Sequence, residues 1–179
     1  MKIYKLSINF DYALADIVEN YNDADSLSLT SETIDLLNDF RFDWNTDDSH
    51  LIPNIAIIMS KLLCFDIISW DEVRSLLPDN GITQISIGNK PFISLSNIPV
   101  LRGSLNLKSS KLKYFSTGDI MEITSPVFNE REYPNLFKVE EIYGSFFCTD
   151  ELKNTIVSNN LTGLKFEECR LKSKSWFRK

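Results

Sequence analysis

The chain has 179 residues, 43% hydrophobic and 25% charged, with a formal net charge of −6 and a pI near 4.9. That composition excludes a disordered or low-complexity chain, and twelve Phe, six Tyr and three Trp supply enough volume for a packed core. The length fits one large domain or two small ones, at roughly 100–150 residues each.

Lys2 to Phe10 alternates loosely through Ile3, Leu6 and Ile8 and predicts an opening strand. This N-terminus holds Lys2 and Lys5 but no long apolar stretch or cleavage site follows, so it does not read as a signal peptide. Tyr12 to Asn20 predicts a short helix through Leu14, Ile17 and Val18, and Asn22 to Ser28 a polar loop. Thr30 or Ser31 then caps a helix through Ile34, Leu37 and Phe40 that ends near Phe42. After a polar loop at Asn45–His50, Ile55–Met59 is a buried strand or the start of a buried helix, which periodicity does not separate. Ser69-Trp70-Asp71-Glu72 has the form of a capping box with Ser69 as the cap. Its helix carries Val73, Leu76 and Leu77 on one side and stops at Pro78.

From Ile82 onward the pattern turns to strands. Ile82–Ile87 and Phe92–Leu95 form a hairpin across Gly88-Asn89, and Leu112–Phe115 with Ile120–Ile123 a second across Ser116–Asp119. Leu136–Ile142 and Ser145–Cys148 form a third across Tyr143-Gly144. Asp150–Ser158 is a helix capped by Thr149, and Gly163–Cys169 a last strand. The order predicts an α+β fold, helix-richer in its N-terminal half and antiparallel-sheet-rich in its C-terminal half. It is read as a single domain over 1–179, with Glu130–Pro134 as the place where two subdomains would meet.

No segment reaches the roughly 18 consecutive apolar residues of a membrane span. The most apolar window, Ile52–Ile68, is broken by Pro53, Asn54, Ser60, Lys61 and Asp66. Cys64, Cys148 and Cys169 are odd in number, widely spaced and without a Cys-x-x-Cys pair, so neither a disulfide framework nor a zinc site is expected. The expectation is a cytoplasmic protein with reduced, structural thiols and no membrane partner.

A search for chemistry returns little. His50 is the single histidine, and no nucleophile elbow, dinucleotide fingerprint or phosphate loop occurs. Asp47-Asp48 and Glu167-Glu168 are adjacent acidic pairs, but on a strand Glu167 and Glu168 face opposite ways and share no site unless the backbone bulges, and nothing marks a facing pair of acids. The tail from Arg170 to Lys179 mixes five basic residues with Trp176 and Phe177, a combination that can grip single strands. Against that, nucleic-acid binders are basic and this chain is acidic. The residues give no catalytic, metal or cofactor assignment, so the chain reads as a non-enzyme without a nucleic-acid partner.

Charge is uneven. Residues 1–50 hold 11 acidic against 3 basic side chains, and residues 51–179 hold 14 against 16. Asp23, Asp25, Asp35, Asp39, Asp43, Asp47 and Asp48 are the candidate partner-binding residues. The plain reading is a solvated acidic face, and the sharper one a surface that attracts a basic partner.

Three stretches carry a resemblance: Tyr133-Pro134-Asn135-Leu136-Phe137-Lys138-Val139, then Ile142 to Lys153 with Gly144-Ser145-Phe146-Phe147-Cys148-Thr149 inside it, then Leu161-Thr162-Gly163-Leu164-Lys165-Phe166-Glu167-Glu168-Cys169. Together they resemble the C-terminal part of a bacterial polymorphic-toxin immunity family typified by a myxobacterial member. Its proteins end in Phe-x-Val, a strand, a helix and Leu-Thr-Gly-Leu-x-Phe. The match covers residues 133–169, and residues 1–80 carry none of it. The resemblance implies that Phe137, Val139, Phe146 and Phe166 fill a core, that Thr149 caps the helix and that Gly163 makes the turn after it. It implies binding and neutralisation of a cognate toxin, without catalytic residues or cofactor. The alternative is a non-enzymatic interaction or scaffold module with another protein partner.

Overall fold

A computed structural model of the chain describes residues 1–19, 37, 40–45 and 50–172. In chain order the strands are β1 (Ile3–Ile8), β2 (Leu14–Glu19), β3 (Arg41–Asn45), β4 (Ile55–Ile58), β5 (Leu62–Asp66), β6 (Ile82–Ile87) and β7 (Lys90–Leu95). They continue as β8 (Val100–Leu101), β9 (Lys111–Tyr114), β10 (Ile120–Ser125), β11 (Val127–Phe128), β12 (Leu136–Val139), β13 (Ile142–Thr149) and β14 (Leu164–Leu171). The described α-helices are α1 (Ile67–Val73), extended by a 3-10 turn at Arg74–Leu76, and α2 (Asp150–Ser158).

The fold is therefore mostly β, and the expectation of an α+β chain with a helix-richer first half is overturned: about 50% of the described residues are strand and 14% helical. Tyr12–Asn20, expected as a helix, contains β2. Its Leu14, Ile17 and Val18 mimic helical spacing, yet Ala15 and Ile17 face a core while Asp16 lies between them. Of the helix expected from Thr30 or Ser31 to Phe42, residues 30–36 and 38–39 lie outside the described residues. Its end, Phe42, is in β3, not in a helix.

Two six-stranded sheets carry the architecture, in the orders β11-β14-β1-β13-β12-β8 and β2-β3-β6-β7-β5-β4. Each curls toward closure. In the first, the segment after β8 reaches β11 through the Leu105–Phe128 bridge and the hydrogen bonds Asn106 N–H to Val127 C=O (2.7 Å) and Asn129 N–H to Ser104 C=O (2.8 Å). In the second, Tyr12 bridges Leu51 and Ala13 N–H donates to Leu51 C=O (3.0 Å), joining the ends beside β2 and β4.

Strand alternation then sorts the apolar residues into three layers. Ile3, Phe128, Phe137, Val139 and Phe147 fill the inside of the first sheet. Phe42, Ala56, Ile58, Cys64, Ile87 and Phe92 fill the inside of the second. Between the sheets lie Tyr4, Leu6, Ile55, Ile57, Leu63, Phe65, Phe146 and Cys148, joined by Val73 of α1 and by Leu152 and Ile156 of α2. A side chain of Phe or Leu size contributes roughly 1.5–3 kcal/mol when fully buried. Strands buried on both faces lose apolar–polar alternation, which is why Ile55-Ala56-Ile57-Ile58 and Leu62-Leu63-Cys64-Phe65 read as unbroken apolar runs.

The first two expected hairpins are present as β6–β7 and β9–β10. The third is shifted: Val139 pairs with Ile142, so the chain turns at Glu140-Glu141 and not at Tyr143-Gly144. Gly144 instead lies inside β13 at φ +71, where an added Cβ would sit 3.1 Å from the Cβ of Ser60. The helix cap is also displaced. Asp66, not Ser69, caps α1, accepting from Ser69 N–H (2.8 Å) and from the Ser69 hydroxyl (2.5 Å) at one carboxylate oxygen. At Glu130–Pro134, the Tyr133 hydroxyl donates to Asn129 C=O (2.6 Å) and its ring stacks on Phe137 at 5.1 Å.

Candidate functional site

The stretch that carries the resemblance supplies scaffold. Phe137, Val139 and Phe146 are buried, and Phe166 packs half-buried on the central core. Thr149 precedes α2 but makes no cap bond; its hydroxyl donates to Asn135 Oδ1 (2.5 Å). Thr162 and Gly163 clasp the start of β4. Asn54 Oδ1 accepts from Thr162 N–H (3.0 Å) and from its hydroxyl (2.8 Å), while Ile55 N–H donates to Thr162 C=O (3.0 Å). Asn54 also donates to the Asp66 carboxylate (2.9 Å), so the clasp runs on into the cap of α1.

Surface features are more open to a partner. Residues of β2, β3 and β6 with odd and even positions sorted by the core leave an outer face bearing Asp16, Arg41, Asp43, Gln84 and Ser86. Asp16 and Asp43 stand directly opposite each other across β2 and β3. Each carboxylate accepts from the next backbone N–H, Ile17 and Trp44 respectively, at 2.8 Å. Arg41 Nη2 lies 3.9 Å from Asp43 Oδ2. Like charges placed opposite in a sheet destabilise it, so this pair weakens the fold that holds it.

β3 and β6 are joined by a single registered pair, Phe42 with Ile87, with Gly88 N–H donating to Phe42 C=O (2.9 Å). Away from that pair the strands part, and a groove of about 350 Å³ opens between Leu37, Phe40, Arg41 and Phe42 on one side and Gln84, Ile85, Ser86 and Gly88 on the other. A second exposed apolar patch caps the β9–β10 hairpin, where Tyr114, Phe115, Ile120 and Met121 are all exposed. Lys113 and Glu122 form an ion pair (2.6 Å) below it.

Of the candidate acidic residues, only Asp43 falls among the described residues, where it joins Asp16. Asp23, Asp25, Asp35, Asp39, Asp47 and Asp48 lie outside them. His50 is exposed. Sequence reasoning missed Asp16 as a partner of Asp43, because β2 was read as a helix and the facing register vanished with it. It also missed the β6 edge, which carries no local sequence signal.

The three cysteines are free and buried. Burial pushes the Cys64 and Cys148 thiols up to about 12 and Cys169 to about 11. Among the described residues, no group of three His, Cys, Asp or Glu side chains is placed to hold a metal ion, and no helix is long and apolar enough to cross a membrane. The chain matches no protein-family model and no curated protein.

Proposed function

We propose that the protein is an immunity protein that binds a cognate bacterial toxin and neutralises it by direct contact in the cytoplasm. The observation that carries this reading is the residue pattern over 133–169, which resembles the immunity family down to Leu161-Thr162-Gly163-Leu164-Lys165-Phe166. The packing is in keeping with it. Residues of the pattern bind the two sheets together, as a scaffold does, and leave the faces of β2, β3 and β6 open to a partner.

The acidic first third of the chain supports a partner with a basic surface. Many toxins that act on nucleic acid are basic where they grip phosphates, and complementary fields raise association rates more than final affinity. Co-expression with the product of the neighbouring gene, in a host that this product poisons, tests the reading. Growth should be restored by the full chain, and the two proteins should co-purify. Toxicity undiminished by a folded, well-expressed chain would refute it and leave an interaction module with another partner.

A further inference from the structure

We infer that the open edge of β6 and its groove seat an extended, basic segment of the partner, which adds to the sheet beside Gln84. The inference rests on the reading of the protein as a toxin neutraliser and names the surface and the kind of segment involved.

The backbone argument starts at the β6–β7 turn. Gly88 opens a two-residue loop at φ +57, and Ile87 pairs with Lys90 across it. In such a loop the closing pair exchanges hydrogen bonds, and bonded pairs then alternate along the ladder. Ile85 with Phe92 is accordingly a bonded pair, whereas Ser86 with Pro91 and Gln84 with Ile93 are not. Pro91 fits that assignment, since proline has no N–H to give. The N–H and C=O of Gln84 therefore point away from β7, toward β3. There β3 has already parted from β6, and no described strand pairs with Gln84 on that side. Gln84 and Ser86 are exposed.

An extended peptide satisfies such an edge through its own backbone and sets alternate side chains into the adjoining groove. Leu37, Phe40 and Ile85 give that groove an apolar floor. Charge names the rest of the occupant. Asp16 and Asp43 face each other on the neighbouring strands, with Arg41 3.9 Å from Asp43. A lysine or arginine of the incoming segment relieves the repulsion that the free protein carries. The β9–β10 hairpin also leaves strand edges open, since its two strands pair only with each other, but there Lys113 is already matched by Glu122 and no like-charged pair faces the edge.

The test uses the full chain and the purified toxin encoded beside it, by interferometry. Gln84→Pro removes the free N–H without removing a β6–β7 hydrogen bond and should weaken binding by about tenfold or more. Gln84→Ala, which keeps the amide, should lose clearly less. Asp16→Asn with Asp43→Asn should slow association several-fold at low salt, leave dissociation nearly unchanged and keep or raise the melting temperature. Should Gln84→Pro misfold by circular dichroism, hydrogen exchange of the wild-type complex decides instead: slowed exchange at the Gln84 and Ser86 amides is expected. Unslowed exchange there, or folded variants that bind as the wild type does, would overturn the inference and shift attention to the hairpin tip. A wild-type chain that neither binds nor neutralises the toxin fails earlier and refutes the proposed function itself.

Discussion

Replacing Gly163 by alanine should unfold the protein more readily than any change of its size on the surface. Gly163 has φ +107, a conformation that an L side chain adopts at a cost of about 1–3 kcal/mol. The added Cβ would lie 2.0 Å from Ile55 C=O and 2.7 Å from Pro53 Cβ. Neither is the end of a flexible chain, so the backbone must separate. Separation strains the bonds Ile55 N–H to Thr162 C=O (3.0 Å) and Asn9 N–H to Gly163 C=O (2.9 Å), each worth roughly 0.5–1.5 kcal/mol. The reduced freedom of the unfolded alanine chain returns about 0.4–1 kcal/mol. The net loss is about 1–5 kcal/mol, against a total of roughly 5–15 kcal/mol for a domain. Urea titration followed by far-UV circular dichroism measures it as a lower midpoint at unchanged slope. A midpoint equal to that of the wild type would refute the account of the clasp.

Asp66→Ala removes both the cap of α1 and the partner of Asn54, so it should cost about 2–3 kcal/mol, and Ser69→Ala less. The reverse order in thermal melts would restore Ser69 as the cap. With thiols held up at about 11 to 12 and buried, the folded protein should resist iodoacetamide at neutral pH and take up label at all three cysteines in denaturant; rapid native labelling would contradict the burial. Asp150 accepts from Lys2 N–H (3.0 Å), which holds its carboxyl below the usual carboxylate range. The stability it adds is present above that range and is lost as pH falls through the lowered folded value. The melting difference between wild type and Asp150→Asn should therefore narrow on acidification, and a difference constant from about pH 7 to about pH 3 would count against it.

How far the sequence carried the fold depended on which faces of each strand are wet. β6 and β10 keep solvent on one side, so both hairpins were legible with their turns, Gly88 and Gly118 included. α2 was legible because Leu152 and Ile156 mark its single buried side. β4 and β5 are buried on both faces, which erased the alternation that separates strand from helix. In β2, a six-residue strand, three apolar positions happened to suit a helical spacing. The cap of α1 was misplaced by one turn because Asp66-Ile67-Ile68-Ser69 serves the purpose that Ser69-Trp70-Asp71-Glu72 advertises. For the candidate site, charge in the first third was visible, but the facing of Asp16 and Asp43 and the free edge at Gln84 are products of register. Register arises from pairing between distant segments, and no local pattern encodes it.

The position of β1 has a consequence for synthesis. It lies between β13 and β14, with Ile3 opposite both Thr149 and Cys169. β1 is thus completed by strands made much later, and pairing so remote in sequence is slow to form. Until β13 and β14 leave the ribosome, Ile3, Tyr4 and Leu6 have no sheet to enter. The first sheet accordingly closes only after β13 and β14 have been made, whatever the second sheet does earlier. Removing residues 164–171 would not trim an edge; it would uncover one side of β1 along its whole length and leave a nascent-like chain exposed to chaperones and proteases.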